Sequence, residues 1–163
     1  MKVYYSKPRK TNLSIDKQTF SSLVSEAVKI SGLKVSETAA IVINFVSERQ
    51  ICSMNSEHMH HEGITDVISF SYLADEDIDK ETGIFAEIFV CVRKAEIEAM
   101  ERKIEFADEL ILYVIHGILH IANYDDLDSA SRKKMRQAEA RCMKHLKKKF
   151  DLKSVITLQQ IEQ

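Results

Sequence analysis

Apolar positions divide the chain in two. Up to about residue 93, short β-branched runs interrupt stretches of helical periodicity; beyond it, apolar residues recur only at helical spacing. "VYYS" at 3–6 predicts a short first strand. In residues 14–32, Phe20, Leu23, Val24, Ala27, Val28 and Ile30 fall on one helical face, and Gly32 is placed to close the helix in the left-handed conformation. "ETAAIVINFVS" predicts a strand and "SERQICSMNSEH" a helix. "TDVISFSY" and "IFAEIFVCV" predict two more strands joined by an acidic loop, and helices follow over 93–102, 105–122 and 129–149.

Strands mixed with helices early, then helices alone, predict an α+β fold: a small mixed β-sheet covered by helices. With one Pro and four Gly no linker stands out, so residues 1–163 form one domain, the last ten or so a flexible tail. The segment 105–122 has almost no polar face, from Phe106 and Ala107 through Leu110, Ile111, Val114, Ile115, Ile118 and Leu119. It is therefore the central buried helix.

Composition changes this picture little. Three cysteines, Cys52, Cys91 and Cys142, lie far apart without a C-x-x-C pair and read as reduced thiols. The first residues lack the apolar core of a signal peptide, and no window approaches the roughly 20 apolar residues of a membrane span, which predicts a cytoplasmic protein without a membrane partner. The net charge of -2 argues against an indiscriminate polyanion binder, yet its distribution is uneven. Residues 131–149 hold nine Lys or Arg against Glu139, a local excess of +8, whereas 73–87 hold six acids against Lys80. That basic stretch either tracks phosphates or coats a solvated helix face, with Met135, Ala138, Cys142, His145 and Leu146 turned inward.

The chemistry concentrates in "IHGILHIANYDD" at 115–126. His116 and His120 stand four residues apart, so their rings share one helix face and can meet one metal ion. The plainer alternative is two core histidines bonded to backbone. The polar turn Asn123–Asp126 weakens it, because it brings two carboxylates to where a third ligand can fold back. Asp126 is the candidate ligand; either it or Asp125 could instead cap the helix near Ser129 or orient a histidine. Position 117 is Gly, not the Glu of the H-E-x-x-H zinc peptidases, which counts against a peptidase. A helical glycine costs about 1 kcal/mol relative to alanine, so a substrate or a packed strand comes close there.

"HGILHIANYDD" resembles the H-G-x-L-H-x-x-x-Y-D-H signature of the YbeY family of bacterial endoribonucleases, and "MNSEHMHHEGITDVISFSY" resembles that family's upstream block. The resemblance spans nearly the whole chain. It implies a single α+β domain, one zinc ion per chain, and a role in maturation of small-subunit ribosomal RNA and in ribosome quality control. The implied partners are ribosomal RNA, the small ribosomal subunit and ribosome-associated proteins, with no DNA. His116 and His120 fall on the first two metal ligands of the signature, and Asp126 on the third, where the family has histidine. The family's catalytic arginine falls on Met59, and its Gly-Asp before the second core strand on Ala86–Glu87, whereas Asn55, Thr65, Asp66, Val67, Ser69 and Phe70 agree.

A His-His-Asp set with an open fourth position is sound zinc chemistry. Beside Met59, His60 and His61 are the candidate catalytic residues: a protonated histidine can stand in for the arginine or act as general acid, although such histidines also occur in plain solvated turns, as does His58. Three functions are open on these residues. They are a zinc-dependent, single-strand-specific endoribonuclease acting on ribosomal RNA, a catalytically weak ribosome-assembly factor, and a metal hydrolase of another substrate.

Overall fold

Asp16 starts the first long helix by accepting a hydrogen bond from the Thr19 N–H at 2.8 Å, and Gly32 ends it at φ 87°, where a side chain is disfavoured. Between those caps α1 (Lys17–Ser31) buries Phe20, Leu23, Val24, Ala27 and Val28. The computed structural model describes residues 1–9, 11–59, 63–73 and 83–159, and of His58 and Met59 the backbone alone. Its remaining elements are β1 (Lys2–Ser6), β2 (Leu13–Ile15), β3 (Ala40–Val46), α2 (Glu48–Met59), β4 (Val67–Ser71), β5 (Ile84–Cys91), α3 (Val92–Arg102), α4 (Phe106–Ile121), α5 (Ser129–Lys149), α6 (Leu152–Val155) and β6 (Ile156–Leu158).

The main sheet runs β1-β3-β5-β4, with β1, β3 and β5 parallel and β4 antiparallel on the edge. This is the mixed sheet expected of an α+β domain. Alternation along β3 and β5 sends Ile41, Ile43, Ala86, Ile88 and Val90 into the main core with the helices, while Val46, Ile51, Ile68 and Cys91 make a smaller cluster with α2. Glu87 is not left bare in the sheet: the Tyr72 hydroxyl donates to its Oε2 at 2.8 Å.

The helix predicted to be central is so. α4 packs against β4, β5, α1, α3, α5 and α6, and Leu110, Ile111, Val114, Ile115, Ile118 and Leu119 are all buried. Its glycine answers to a strand rather than a substrate. A Cβ on Gly117 would lie 2.7 Å from Ile88 Cγ2 and 3.2 Å from Val67 Cγ2, so only glycine lets α4 settle onto β5 and β4.

Within the last ten residues, expected as a flexible tail, β6 pairs antiparallel with β2 and the pairing runs on through Gln159 N to Asn12 O at 2.9 Å. Val155 and Ile156 are buried, which ties residues 154–159 to the core, and residues 160–163 lie outside the described residues. Neither three-residue strand shows an alternating pattern long enough to read from sequence. Among the described residues, no helix is long and apolar enough to cross a membrane.

Candidate metal centre

The site is built where α4 ends. Asn123 N and Tyr124 N close the last turn on His120 O and Leu119 O, each at 3.0 Å, and Asn123 takes a left-handed φ of 63° that bends the chain back over the helix end. Asp125 Oδ1 accepts from Asp126 N at 2.8 Å and Leu127 N at 3.3 Å, holding the turn. Asp128 then caps α5 by accepting from Ala130 N and Ser131 N; the Ser131 hydroxyl, with these two backbone bonds, pulls its carboxyl down to about 2. Arg132 locks the loop from the other side, donating to Asp126 O at 3.1 Å and Leu127 O at 2.9 Å. The helix cap is thus Asp128, Asp125 serves the turn, and Asp126 keeps its carboxylate for the histidines.

His116 and His120 meet edge to face, ring centroids 4.4 Å apart, with Nε2 to Nε2 at 2.9 Å. Asp126 stands 3.7 Å from His116 Nε2 and 4.0 Å from His120 Nε2. One donor atom from each of the three residues lies within 4.8 Å of the others, and among the described residues this is the only such group.

The other nitrogen of each ring is already engaged. His116 Nδ1 is 2.6 Å from Glu139 Oε1, and His120 Nδ1 is 3.1 Å from Tyr124 O. Both partners are acceptors, so each Nδ1 carries the proton and each Nε2 presents a lone pair. With both rings neutral, two lone pairs and a carboxylate face one another across a few ångströms, a set relieved by a proton shared between the two Nε2 atoms or by a cation bound to all three. A divalent ion with a preference for nitrogen and oxygen donors fits that demand. The protonation tendencies follow the same geometry. Burial works against the charged form of His116, but the carboxylates of Glu139, Asp66 and Asp126 outweigh it and hold the pKa above the usual imidazole value. His120 is held below that value by burial and by His116.

Asp66 sits at the entrance of β4, accepting from Thr65 Oγ1 at 3.0 Å and from Val67 N at 2.9 Å; it organises the turn and adds negative potential toward His116. Beside the histidines, a groove of about 260 Å³ is lined by Val67, Ser69, Ser71, His120 and Ile121, so the edge strand forms one wall of the site. A larger cavity of about 390 Å³ lies among Pro8, Ser47, Glu48, Val92 and Arg93, and none of the three candidate ligands lines it.

The catalytic candidates His60 and His61 lie outside the described residues, as do the side chains of His58 and Met59. On α5 Met135, Ala138, Cys142 and Leu146 point inward as expected, but His145 does not: it is exposed and pairs with Glu26 at 2.9 Å. Glu139 was missed, because a single acid in a basic helix passes for part of the solvated face. Its signal is positional, since residue 139 falls among the inward positions 135, 138, 142 and 146. The Tyr124 carbonyl left no signal in the sequence.

The comparisons with known proteins agree with this geometry. A family model described as Endoribonuclease YbeY matches residues 5–147. The Endoribonuclease YbeY of Protochlamydia amoebophila is 38% identical over 106 residues, which cover 65% of this chain and 69% of that protein. That of Finegoldia magna is 28% identical over 140 residues, 85% and 90% of the two chains. A solution structure from Thermotoga maritima superposes with a TM-score of 0.57 at 25% identity, covering 90% of each chain. The family match takes in β3 to β5 and the whole of α4 with its histidine pair, and the chain belongs to the YbeY endoribonuclease family.

Proposed function

We propose that the protein is a zinc-dependent, single-strand-specific endoribonuclease of the cytoplasm that acts in ribosomal RNA maturation and ribosome quality control, on RNA of the small subunit. One observation carries the reading: His116, His120 and Asp126 converge with both Nδ1 atoms committed elsewhere, so three donors share one point. In this reading the two Nε2 atoms and the Asp126 carboxylate hold one zinc ion per chain. Bound there, zinc supplies a Lewis acid for a phosphoryl oxygen and lowers the pKa of an attacking water.

The chain's own groups do the rest. Arg132 holds the Asp126 loop from its carbonyl side, leaving the carboxylate facing the rings. Ser69 and Ser71 line the groove beside His120, where their hydroxyls can meet a phosphate or a ribose. Lys133, Lys134 and Arg136 on α5 are exposed and draw a polyanion toward the site, whereas Lys147 and Lys149 are tied to Asp108 and Glu26. His60 or His61 serves as general acid beside Met59, where the family resemblance implies an arginine. The missing glutamate at Gly117 removes the general base of the zinc peptidases, so RNA is the favoured polymer over peptide.

A second reading, an assembly factor with weak catalysis, is favoured by the two departures at Asp126 and Met59. Incubation with a single-stranded ribosomal RNA fragment separates the two. Cleavage that stops on chelation, returns with zinc and is absent in His120→Ala supports the nuclease; salt-sensitive RNA binding without cleavage supports the assembly factor. Hydrolysis of peptide in place of RNA sinks both.

A further inference from the structure

We infer that Glu139 is a positioning residue of this centre: from α5 its carboxylate accepts the Nδ1 proton of His116, fixing the ring and its tautomer so that Nε2 stays bare toward the ion. The inference rests on the reading of His116, His120 and Asp126 as metal ligands. The contact is 2.6 Å, short for a nitrogen-to-oxygen bond and typical of one in which the acceptor is charged. A deprotonated Nδ1 would set a lone pair against that carboxylate, so the proton is fixed on this side of the ring.

The contact is also built rather than incidental. Met135, Ala138, Cys142 and Leu146 bury the inner face of α5, and this registers Glu139 at its edge with a side chain only 18% exposed. α4 supplies the ligand and α5 its orientation, from 23 residues further along the chain. His120 differs, since its Nδ1 faces a neutral carbonyl of its own helix end, Tyr124 O. The two rings thus receive unequal support. A carboxylate acceptor makes the imidazole the stronger base, so His116 is the firmer nitrogen donor of the pair.

Zinc affinity of the full-length protein, measured by competition with a chromophoric chelator, tests this without RNA or turnover. Glu139→Ala is expected to weaken zinc binding about 10–100-fold. Glu139→Gln should recover much of that loss, because its amide oxygen can still accept the Nδ1 proton. Unchanged affinity in Glu139→Ala, or a loss in Glu139→Gln as complete as in Glu139→Ala, overturns the inference. His120→Ala is the control for the site itself: if it binds zinc as the unaltered protein does, the ligand reading has failed and Glu139 with it. Should Glu139→Ala not fold, visible spectra of the cobalt-loaded protein decide. Glu139→Gln that keeps the intense bands of a four-coordinate site supports orientation through the shared hydrogen bond, and their loss overturns it.

Discussion

At its N-terminal end α4 buries a carboxylate, Glu109, and at its C-terminal end it half-buries two imidazoles, yet the two ends are completed differently. Glu109 is fully buried, and Arg102 on α3 reaches it, Nη1 lying 3.0 Å from Oε1 and donating to Oε2 at 3.4 Å. Arg102 also pairs with Glu98 at 2.9 Å, and Glu98 with Lys94 at 2.7 Å, so charge at this end alternates in sign within the protein. At the other end the charged groups that act on His116 are the acids Asp126, Glu139 and Asp66, while Arg132 is spent on the loop carbonyls of Asp126 and Leu127. The same helix therefore carries a closed ion pair and an open set of donors. The difference marks which end is structural and which invites a ligand.

Adding zinc sharpens that contrast most. At 100 times its dissociation constant, a ligand bound only to the folded state stabilises it by about 2.7 kcal/mol. Thermal or denaturant unfolding should show that gain in the unaltered protein and none in His120→Ala. A gain of equal size in both would place zinc elsewhere.

Arg102→Ala is the matching break at the closed end. Removing one partner of a buried pair typically costs 3–5 kcal/mol, but Arg102 is 54% exposed, so screening cuts the expected loss to about 2 kcal/mol. The pH dependence has a definite sign. Burial raises the Glu109 pKa from 4.5 although Arg102 and Tyr113 oppose it, so the folded state favours the protonated acid; that contribution is complete below pH 4.5 and is lost as pH rises through the folded pKa. Without Arg102 that pKa climbs further. The deficit of Arg102→Ala relative to the unaltered protein should thus be small below pH 4.5 and grow toward neutrality, as denaturant midpoints at a series of pH values would show; a deficit independent of pH would mean that Arg102 acts by packing alone. Zinc binding should be unchanged.

Gly117 lies between the two ends and clamps α4 to the sheet. Alanine there gains about 1 kcal/mol in helix propensity and loses about 1–3 kcal/mol to overpacking against Ile88 Cγ2 at 2.7 Å, a net loss of about 1 kcal/mol. Urea midpoints check it. A more stable Gly117→Ala would show that β5 yields easily and that the glycine serves something other than close packing.

What the sequence could reveal follows the same division. The open end was legible because its parts lie within one short segment: the apolar run that makes α4 central, His116 and His120 on one face, and the turn that returns Asp126. Glu139 belongs to the same site but comes from a helix whose charge pattern masks it, and only the inward spacing of Met135, Ala138, Cys142 and Leu146 betrays its orientation. That pattern misleads as well, since it also suggests an inward His145, which instead reaches out to Glu26. The Arg102–Glu109 pair was not legible, because it spans two helices and depends on the angle set by the turn between them. β2 and β6 were missed because each is three residues long and is held by its partner rather than by its own pattern.

The smallest expected effect concerns the charge of the open end itself. Asp126 is a carboxylate, so this His-His-Asp set has one more negative charge than a three-histidine set would, beside Glu139 and Asp66. A unit charge about 6 Å from an approaching phosphate in water-like surroundings is worth about 0.7 kcal/mol, roughly threefold in affinity. Asp126→His in the zinc-loaded protein should accordingly bind single-stranded RNA about threefold more tightly at low salt. If the arginine of Met59→Arg meets a phosphate, it should steepen the slope of log affinity against log salt by about 0.7, as each such contact on a single strand does. RNA titrations at several salt concentrations distinguish the two substitutions, because Asp126→His should shift affinity with little change in slope, while Met59→Arg should change the slope. An Asp126→His variant that holds zinc as before but binds RNA no better would show that the Asp126 carboxylate does not face the substrate, and the sign contrast between the two ends of α4 would then matter for holding the ion rather than for admitting RNA.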